Sequence, residues 1–396
     1  MLEKMQEDLM TPTRGSQKFP EVMSSMVAAE MVQQSQKHRV LALSTLGHGS
    51  YDEHRILELL DAFSPELLPF DRKNKWKSFR SLINVIRTKH PDLIVMEGTG
   101  LAGGIPLILG RLLLGQRYVV SSGDAIGPWI ATKSRLLAPL FGIYERALCR
   151  LANGFIGWTP YLVGRALTFG TPRAMTASGW APFTRTIPER QADRDAIRKH
   201  LGIDSATLVI GIAGSLVWSK RVGYCYGWEL VQAAIESKRD DVCWLIVGDG
   251  DGKSRLEQAA EKVKHGRILF TGRVPQAELP AYLAAMDIGS LPQSVDGVGS
   301  FRYTTKVSEY LAFQLPFITG LIPLAYDFPS SWFWSLPGNA PWDPKYIRSL
   351  AELVDQISIE QIHSKRNSIP EFIETFDRQL QIDRTTRFIN DLLEPN

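Results

Sequence analysis

From His38 onward the chain alternates short apolar runs with amphipathic stretches. The run 40–46 precedes a helix-patterned segment, 53–63; a shorter run, 66–70, precedes a second, 76–89; and 92–97 follows. Short apolar runs bounded by polar turns predict buried strands, and apolar positions spaced three or four apart predict helices with one covered face. Further strands are expected at 117–121 and 154–158, separated by a long helical stretch, 134–151. Strands that alternate with helices predict a parallel sheet covered on both faces, so residues 38–180 read as one Rossmann-like domain.

Around Pro182 and Pro188 the periodicity lapses, and residues 181–193 read as an interdomain linker. A second series then fills 194–340, with strands expected at 208–213, 242–247, 268–271, 288–291 and 317–319. Helices are expected at 223–238, 254–263, 278–286 and 304–313. Residues 341–396 read as helices, the last of them packing back on the first domain. The first 37 residues are polar and rich in Met and Gln, without the apolar run of a signal peptide, and read as a poorly ordered extension. The expected class is therefore α/β, with two doubly wound domains facing each other, and open α/β sheets hold ligands at the carboxyl ends of their strands.

Composition removes several alternatives. With 44% hydrophobic residues, 22% charged residues and a net charge of +3, the chain is neither disordered nor a general nucleic-acid binder, and no nucleic-acid partner is expected. Cys149, Cys225 and Cys243 lie far apart with no Cys-x-x-Cys pair, which points to a reducing cytoplasmic location rather than a disulfide framework or a thiolate zinc site. The stretch 101–114 is shorter than the roughly 20 residues that cross a bilayer and contains Pro106 and Arg111. It reads as a helix packed on the sheet. Ile105, Leu107, Leu109 and Leu112 to Leu114 nevertheless exceed what one packing stripe needs, so peripheral contact of 105–114 with the inner membrane face is a second expectation.

Three motifs come close to known ligand loops. Gly98, Gly100 and Gly103 match the dinucleotide fingerprint after a strand, with Asp124 further on, but the match follows the third strand of its domain instead of the first. Glycines that let a helix lie close to its strand are the simpler reading. Residues 247–254 end like a P-loop but stand one residue out of register, with Asp249 and Asp251 where phosphates would sit. His48, flanked by Gly47 and Gly49 at the end of the first strand, lacks metal-ligand spacing to His54; the glycine-flanked loop suits backbone approach to an acceptor, and no metal is expected.

The second domain carries the stronger constellation. Gly214 and Ser215 end its first strand, and Lys220 follows before the next helix, an arrangement that suits a diphosphate. Near its end, a small polar loop runs through Gly297, Gly299 and Ser300 into Thr304 and Thr305, which open a helix whose free N–H groups form an anion site. Glu309, one to two turns in, is placed to accept the hydroxyls of a ribose or to stand exposed as an ordinary helix glutamate.

Taken in order, these pieces resemble the donor-binding half of a GT-B glycosyltransferase of the family 4-like, group 1 type. Residues 214–220 resemble its glycine turn and phosphate lysine, and 245–250 its strand ending in Gly-Asp-Gly. Residues 268–275 resemble its nucleotide-side loop, and Lys306, Glu309, Tyr310 and Ala312 its Lys-x-x-Glu-Tyr-x-Ala signature. Tyr144-Glu145-Arg146 is similar to a helix common in the first domain of members. The resemblance implies transfer of a sugar from a nucleotide-diphosphate sugar to a glycan, lipid or polysaccharide intermediate, with retention at the anomeric carbon and no metal or other cofactor. It places Lys220 on the diphosphate and Glu309 on the ribose. The chain departs from the pattern at Ser215, where members often carry an arginine for which Arg221 or Arg302 could substitute, and at Phe301, where many have a glutamate. Asp124 stands near the place of a first-domain histidine and is the candidate catalytic residue. Those departures keep two alternatives open: a nucleotide-sugar-binding protein without turnover, and, through 98–103, an NAD-dependent enzyme.

Overall fold

The computed structural model describes residues 38–394; the N-terminal extension of the sequence reading lies outside them. Six parallel strands form the first sheet: β1 (Val40–Ser44), β2 (Glu66–Leu67), β3 (Leu93–Glu97), β4 (Tyr118–Ser122), β5 (Gly154–Gly157) and β6 (Ala174–Thr176), in the order β2-β1-β3-β4-β5-β6. A second parallel sheet contains β7 (Leu208–Ala213), β8 (Val242–Val247), β9 (Arg267–Gly272), β10 (Ile288–Leu291), β11 (Phe317–Gly320) and β12 (Phe333–Leu336), in the order β12-β11-β10-β7-β8-β9. The central strands are buried along their whole length, which is why they read as continuous apolar runs instead of alternating ones.

Both strand orders reverse direction once, between β1 and β3 in the first sheet and between β7 and β10 in the second. The connections that leave those strands diverge to opposite faces and open a crevice at the carboxyl ends. Thr45 and Gly98 follow the two strands of the first crevice, and Gly214 follows β7 in the second.

Three expectations need correction. The helix expected over 134–151 begins only at Ala138 and runs to Leu151, and a separate short helix, Ile126–Ala131, precedes it across a turn around Lys133 and Ser134. Residues 181–193 are only partly linker: the helix Ile187–His200 starts inside them, where Thr186 and Glu189 form a capping box and Pro188 occupies the first turn. That helix belongs to the second domain, since Arg194 and Arg198 each reach Asp287 at 2.6 Å. Two further strands, β6 and β12, extend the sheets at their edges.

After the second sheet, the helices Pro344–Gln356 and Ile359–Ser368 stay with that domain through Tyr346, Leu350 and Ile362. The helix Arg378–Leu393 crosses over and buries Ile382, Ile389, Leu392 and Leu393 against Val40, Ala42 and Ile56 of the first domain. No helix among the described residues is long and apolar enough to span a membrane.

Candidate functional site

A cleft of about 800 Å³ lies between the domains at the carboxyl ends of both sheets. Its first-domain wall includes Thr45, Asp52, Gly98, Asp124 and Trp158, and its second-domain wall is formed by Tyr226 and the run Arg302 to Lys306. The domains also touch directly. Arg302 pairs with Asp124 at 2.9 Å, Thr159 Oγ1 donates to the Phe301 carbonyl at 2.6 Å, and Tyr161 donates to Asp327 at 2.6 Å.

On the second-domain side, Thr304 is the N-cap of the helix Thr305–Ala312, with extended backbone (φ −75°, ψ 151°). Its side chain forms no cap hydrogen bond, and Oγ1 is buried without a partner. An N-terminus left uncapped keeps its first N–H groups available, and the helix dipole makes that point favourable for an anion. Lys306 bends back to the same place: its Nζ lies 4.2 Å from the Tyr226 ring centroid, and a Cβ at Gly214 would stand 3.2 Å from that nitrogen. Gly214 thus leaves the room that the ammonium uses. Burial pushes the Glu309 carboxyl above its ordinary range, with Lys306 acting against that shift, and Glu309 in turn contributes to the field on Tyr51 of the opposite domain.

The glycine turn after β7 is braced by the turn after β8. Gly214 N–H donates to Val247 and Leu216 N–H to Asp249, while Asp251 accepts from the Trp218 N–H at 2.7 Å. Gly248 has φ +146°, and a Cβ there would meet the Gly214 carbonyl oxygen at 1.9 Å, so only glycine fits. The residues that imitate a P-loop therefore support the neighbouring turn.

Residues 207–326 match the family described as glycosyl transferases group 1. That match spans most of the second domain. A 2-deoxystreptamine glucosyltransferase of Streptomyces kanamyceticus is 30% identical over 197 residues, covering 47% of this chain and 49% of the relative, so the chain matches about half the length of that protein. Among solved structures, Anabaena HepE in complex with UDP superposes with a TM-score of 0.65 at 14% identity, over 89% of this chain and all of that one. WaaG, a glycosyltransferase involved in lipopolysaccharide biosynthesis, superposes with a TM-score of 0.61 at 12% identity, over 90% and 100% of the two chains. The two facing parallel sheets are the GT-B fold.

Within the second domain, the structure gathers Gly214, Thr304, Thr305 and Glu309 around Lys306, whereas Ser215 and Lys220 stand exposed on the loop that follows β7. Arg302, a candidate stand-in for the missing arginine, is engaged by Asp124, and Arg221 is exposed. Phe301 turns away from the second domain into the core of the first domain, where the Arg165 guanidinium lies 5.2 Å from its ring. Its departure from the usual glutamate is thus a packing contact between domains.

Across the cleft, a buried ion pair lies beneath the first-domain floor. Glu97 at the end of β3 accepts from Arg55 at 2.8 Å, from Ser121 at 2.6 Å and from the Trp158 indole at 3.0 Å, and Arg55 lies 4.3 Å from the Trp158 ring. The glycines 98, 100 and 103 are explained here by packing: a Cβ on each would collide with Thr45 or Met96. Gly47 and Gly49 adopt positive φ, and the Glu53 carboxylate ties the exposed His48 (2.9 Å) and the Gly49 N–H (2.9 Å) to the start of the helix Tyr51–Leu59. The neighbouring Thr45 and Leu46, rather than His48, line the cleft.

Asp52, which the sequence reading did not single out, lines the cleft beside this floor. Burial raises its carboxyl to about 7, the Glu97 charge adds to the shift, Arg55 opposes it and Asp124 adds a smaller contribution. The folded chain keeps this proton at pH values where the unfolded chain, with a carboxyl near 3.8, has released it. Asp52 therefore contributes stability that is complete below about pH 4 and is lost as pH rises through 7. Urea midpoints of wild type and Asp52→Asn measured across that window should converge on the acidic side and separate with rising pH, the wild type falling behind; parallel curves would refute the buried protonated state.

Proposed function

We propose that this chain transfers a sugar from a nucleotide-diphosphate sugar, with UDP as the nucleotide, to an acceptor held on the first-domain side of the cleft. The observation that carries the reading is the uncapped helix start at Thr304, whose buried, unpartnered hydroxyl shares the cleft with Lys306, the lysine whose ammonium lies against Gly214. A diphosphate placed there meets the Thr304 hydroxyl, the first N–H groups of the helix and the Lys306 ammonium. Negative charge grows on the leaving diphosphate as the glycosidic bond breaks, and preset donors of this kind favour that charge without reorganising. Lys220, on the exposed loop, supplies a second cation from the rim, and Glu309 takes the ribose hydroxyls. The UDP bound to Anabaena HepE supports the choice of nucleotide. Retention at the anomeric carbon and independence of metal belong to the reading through the family resemblance.

On the acceptor side, Asp52 with its raised carboxyl is placed to exchange a proton with an acceptor hydroxyl, and Asp124 positions the two domains through Arg302. The acceptor class is a glycan, lipid or polysaccharide intermediate. The exposed side chains of Leu109 and Leu112 to Leu114 support peripheral membrane contact through 105–114 as part of the same reading.

A donor screen by thermal unfolding tests the proposal. At about 100 times its dissociation constant, a ligand adds about 2.7 kcal/mol to the stability of the folded state. One UDP-sugar should then raise the transition by several degrees, and Glu309→Ala should abolish the shift. A panel of nucleotide-diphosphate sugars in which none moves the transition would overturn the reading.

A further inference from the structure

The first domain leaves an apolar face uncovered that runs from the mouth of the cleft along its helices. The helix Lys75–Lys89 packs on Leu101–Leu114, which packs on Ala138–Leu151, which in turn packs on Ile126–Ala131, so the four elements form one continuous surface. From it project Trp76 (72% exposed), Leu112, Leu113 (75%), Leu136 (89%), Leu140 and Ile143. Side chains this large and this exposed, carried on helices that pack one on the next, are not the scattered apolar residues of an ordinary surface.

Charge narrows what can cover them. The segments 72–80, 101–114 and 126–143 contain eight Lys and Arg and no Asp or Glu, in a chain whose net charge is only +3. Five of these cations, Arg72, Lys73, Lys75, Lys77 and Arg80, surround Trp76 and are exposed, and Lys133 and Arg135 flank the Leu136 end. Lys133 Nζ sits 3.8 Å from the Trp129 ring centroid. An apolar platform edged by cations, with a tryptophan among them, matches a surface that is anionic at its headgroups and hydrocarbon beneath.

We propose that this face docks on an anionic lipid bilayer and lowers the mouth of the cleft to a membrane-anchored acceptor. The inference rests on the transferase reading only for what the docking achieves. Lys75, Trp76, Ile105, Trp129 and Phe141 belong both to the cleft and to the border of this face. An amphiphile can therefore place its polar head between the domains while its chain remains in the bilayer. The apolar residues beyond the cleft anchor the protein, and the lysines hold it against the headgroups.

Flotation of the full chain with vesicles tests this, using phosphatidylcholine alone and phosphatidylcholine with about one-third phosphatidylglycerol. The wild type should float with the anionic vesicles only, and less so at about 1 M salt, where exposed charges are screened within about 3 Å. Lys73→Ala, Lys77→Ala and Arg80→Ala together should weaken binding about a hundredfold, from about fivefold per cation. Leu113→Ser, Leu136→Ser, Leu140→Ser and Ile143→Ser together should abolish flotation. None of these seven residues lines the cleft, so both variants should keep the UDP-sugar thermal shift of the wild type. Wild type that floats with neither vesicle, or variants that float like wild type, would overturn the docking face while a retained UDP-sugar shift left the donor reading standing. The reverse result, flotation without any UDP-sugar shift, would overturn the donor reading and leave the docking. Sedimentation that finds a dimer which the leucine variant dissociates would assign the face to a second copy and also overturn the proposal.

Discussion

Glu97→Ala is expected to lower the stability of the first domain by about 3–5 kcal/mol, the usual consequence of removing one partner from a buried ion pair. Glu97 is fully buried, and Arg55 is only 1% exposed. Without the carboxylate, the guanidinium keeps the Ala177 carbonyl and the face of Trp158 but has no counter-charge, and burial already holds it below its ordinary range. Ser121 and the Trp158 indole lose their acceptor in the same step. The measurement is urea unfolding followed by tryptophan fluorescence, which also reports Trp158 itself. A double variant, Arg55→Met with Glu97→Met, should recover much of the loss, because a buried pair can be exchanged for apolar groups at little net cost. A single-variant loss below about 1 kcal/mol would mean that water reaches Arg55 and that the floor of the cleft is not the dry network described here.

The same network separates what was readable in the chain from what was not. The central strands announced themselves because parallel sheets buried on both faces are written as apolar runs, as in Leu93 to Met96 or Val242 to Val247. The edge strands β6 and β12 did not. Ala174–Thr176 is half-buried and carries no apolar run, and Phe333–Leu336 is buried only at its two ends, with Trp334 half-buried and Ser335 exposed between them. The helix start at Thr304 was legible, since a glycine-rich loop before paired threonines has local meaning. Lys306 was not assigned to the glycine turn, because its contact with Gly214 and Tyr226 joins strands and loops distant in the chain. Asp52 was hidden for a similar reason: after its own burial, the charges that shift it belong to Glu97, Arg55 and Asp124. Lys220 looked stronger in the sequence than in space, where its loop leaves it exposed. The Thr186 to Glu189 capping box, by contrast, is a local signal written within four residues, set among prolines that by themselves signal a linker.

Those displaced weights lead to the second large effect. Lys306→Ala should raise the dissociation constant for UDP about tenfold to a hundredfold, from the roughly 1.5–3 kcal/mol of a hydrogen bond to a charged group. Turnover should fall further, to a total loss in kcat/KM of about a thousandfold, because charge accumulates on the diphosphate only as the sugar departs. Lys220→Ala should weaken both quantities less, its side chain being exposed to water that screens it. The fold should survive the substitution at Lys306, which is half-buried and whose contact with the Tyr226 ring is worth about 0.5–1 kcal/mol. Calorimetric titration with UDP separates binding from chemistry, and UDP release in the presence of an acceptor extract gives the rate. Lys306→Arg tests charge against shape: the guanidinium keeps the positive charge but needs more room than Gly214 leaves beside Tyr226, so it should restore affinity only in part. If Lys306→Ala binds UDP like the wild type while Lys220→Ala does not, the phosphate cation comes from the exposed loop that follows β7. The uncapped helix at Thr304 would then have to hold the diphosphate through its hydroxyl and N–H groups alone.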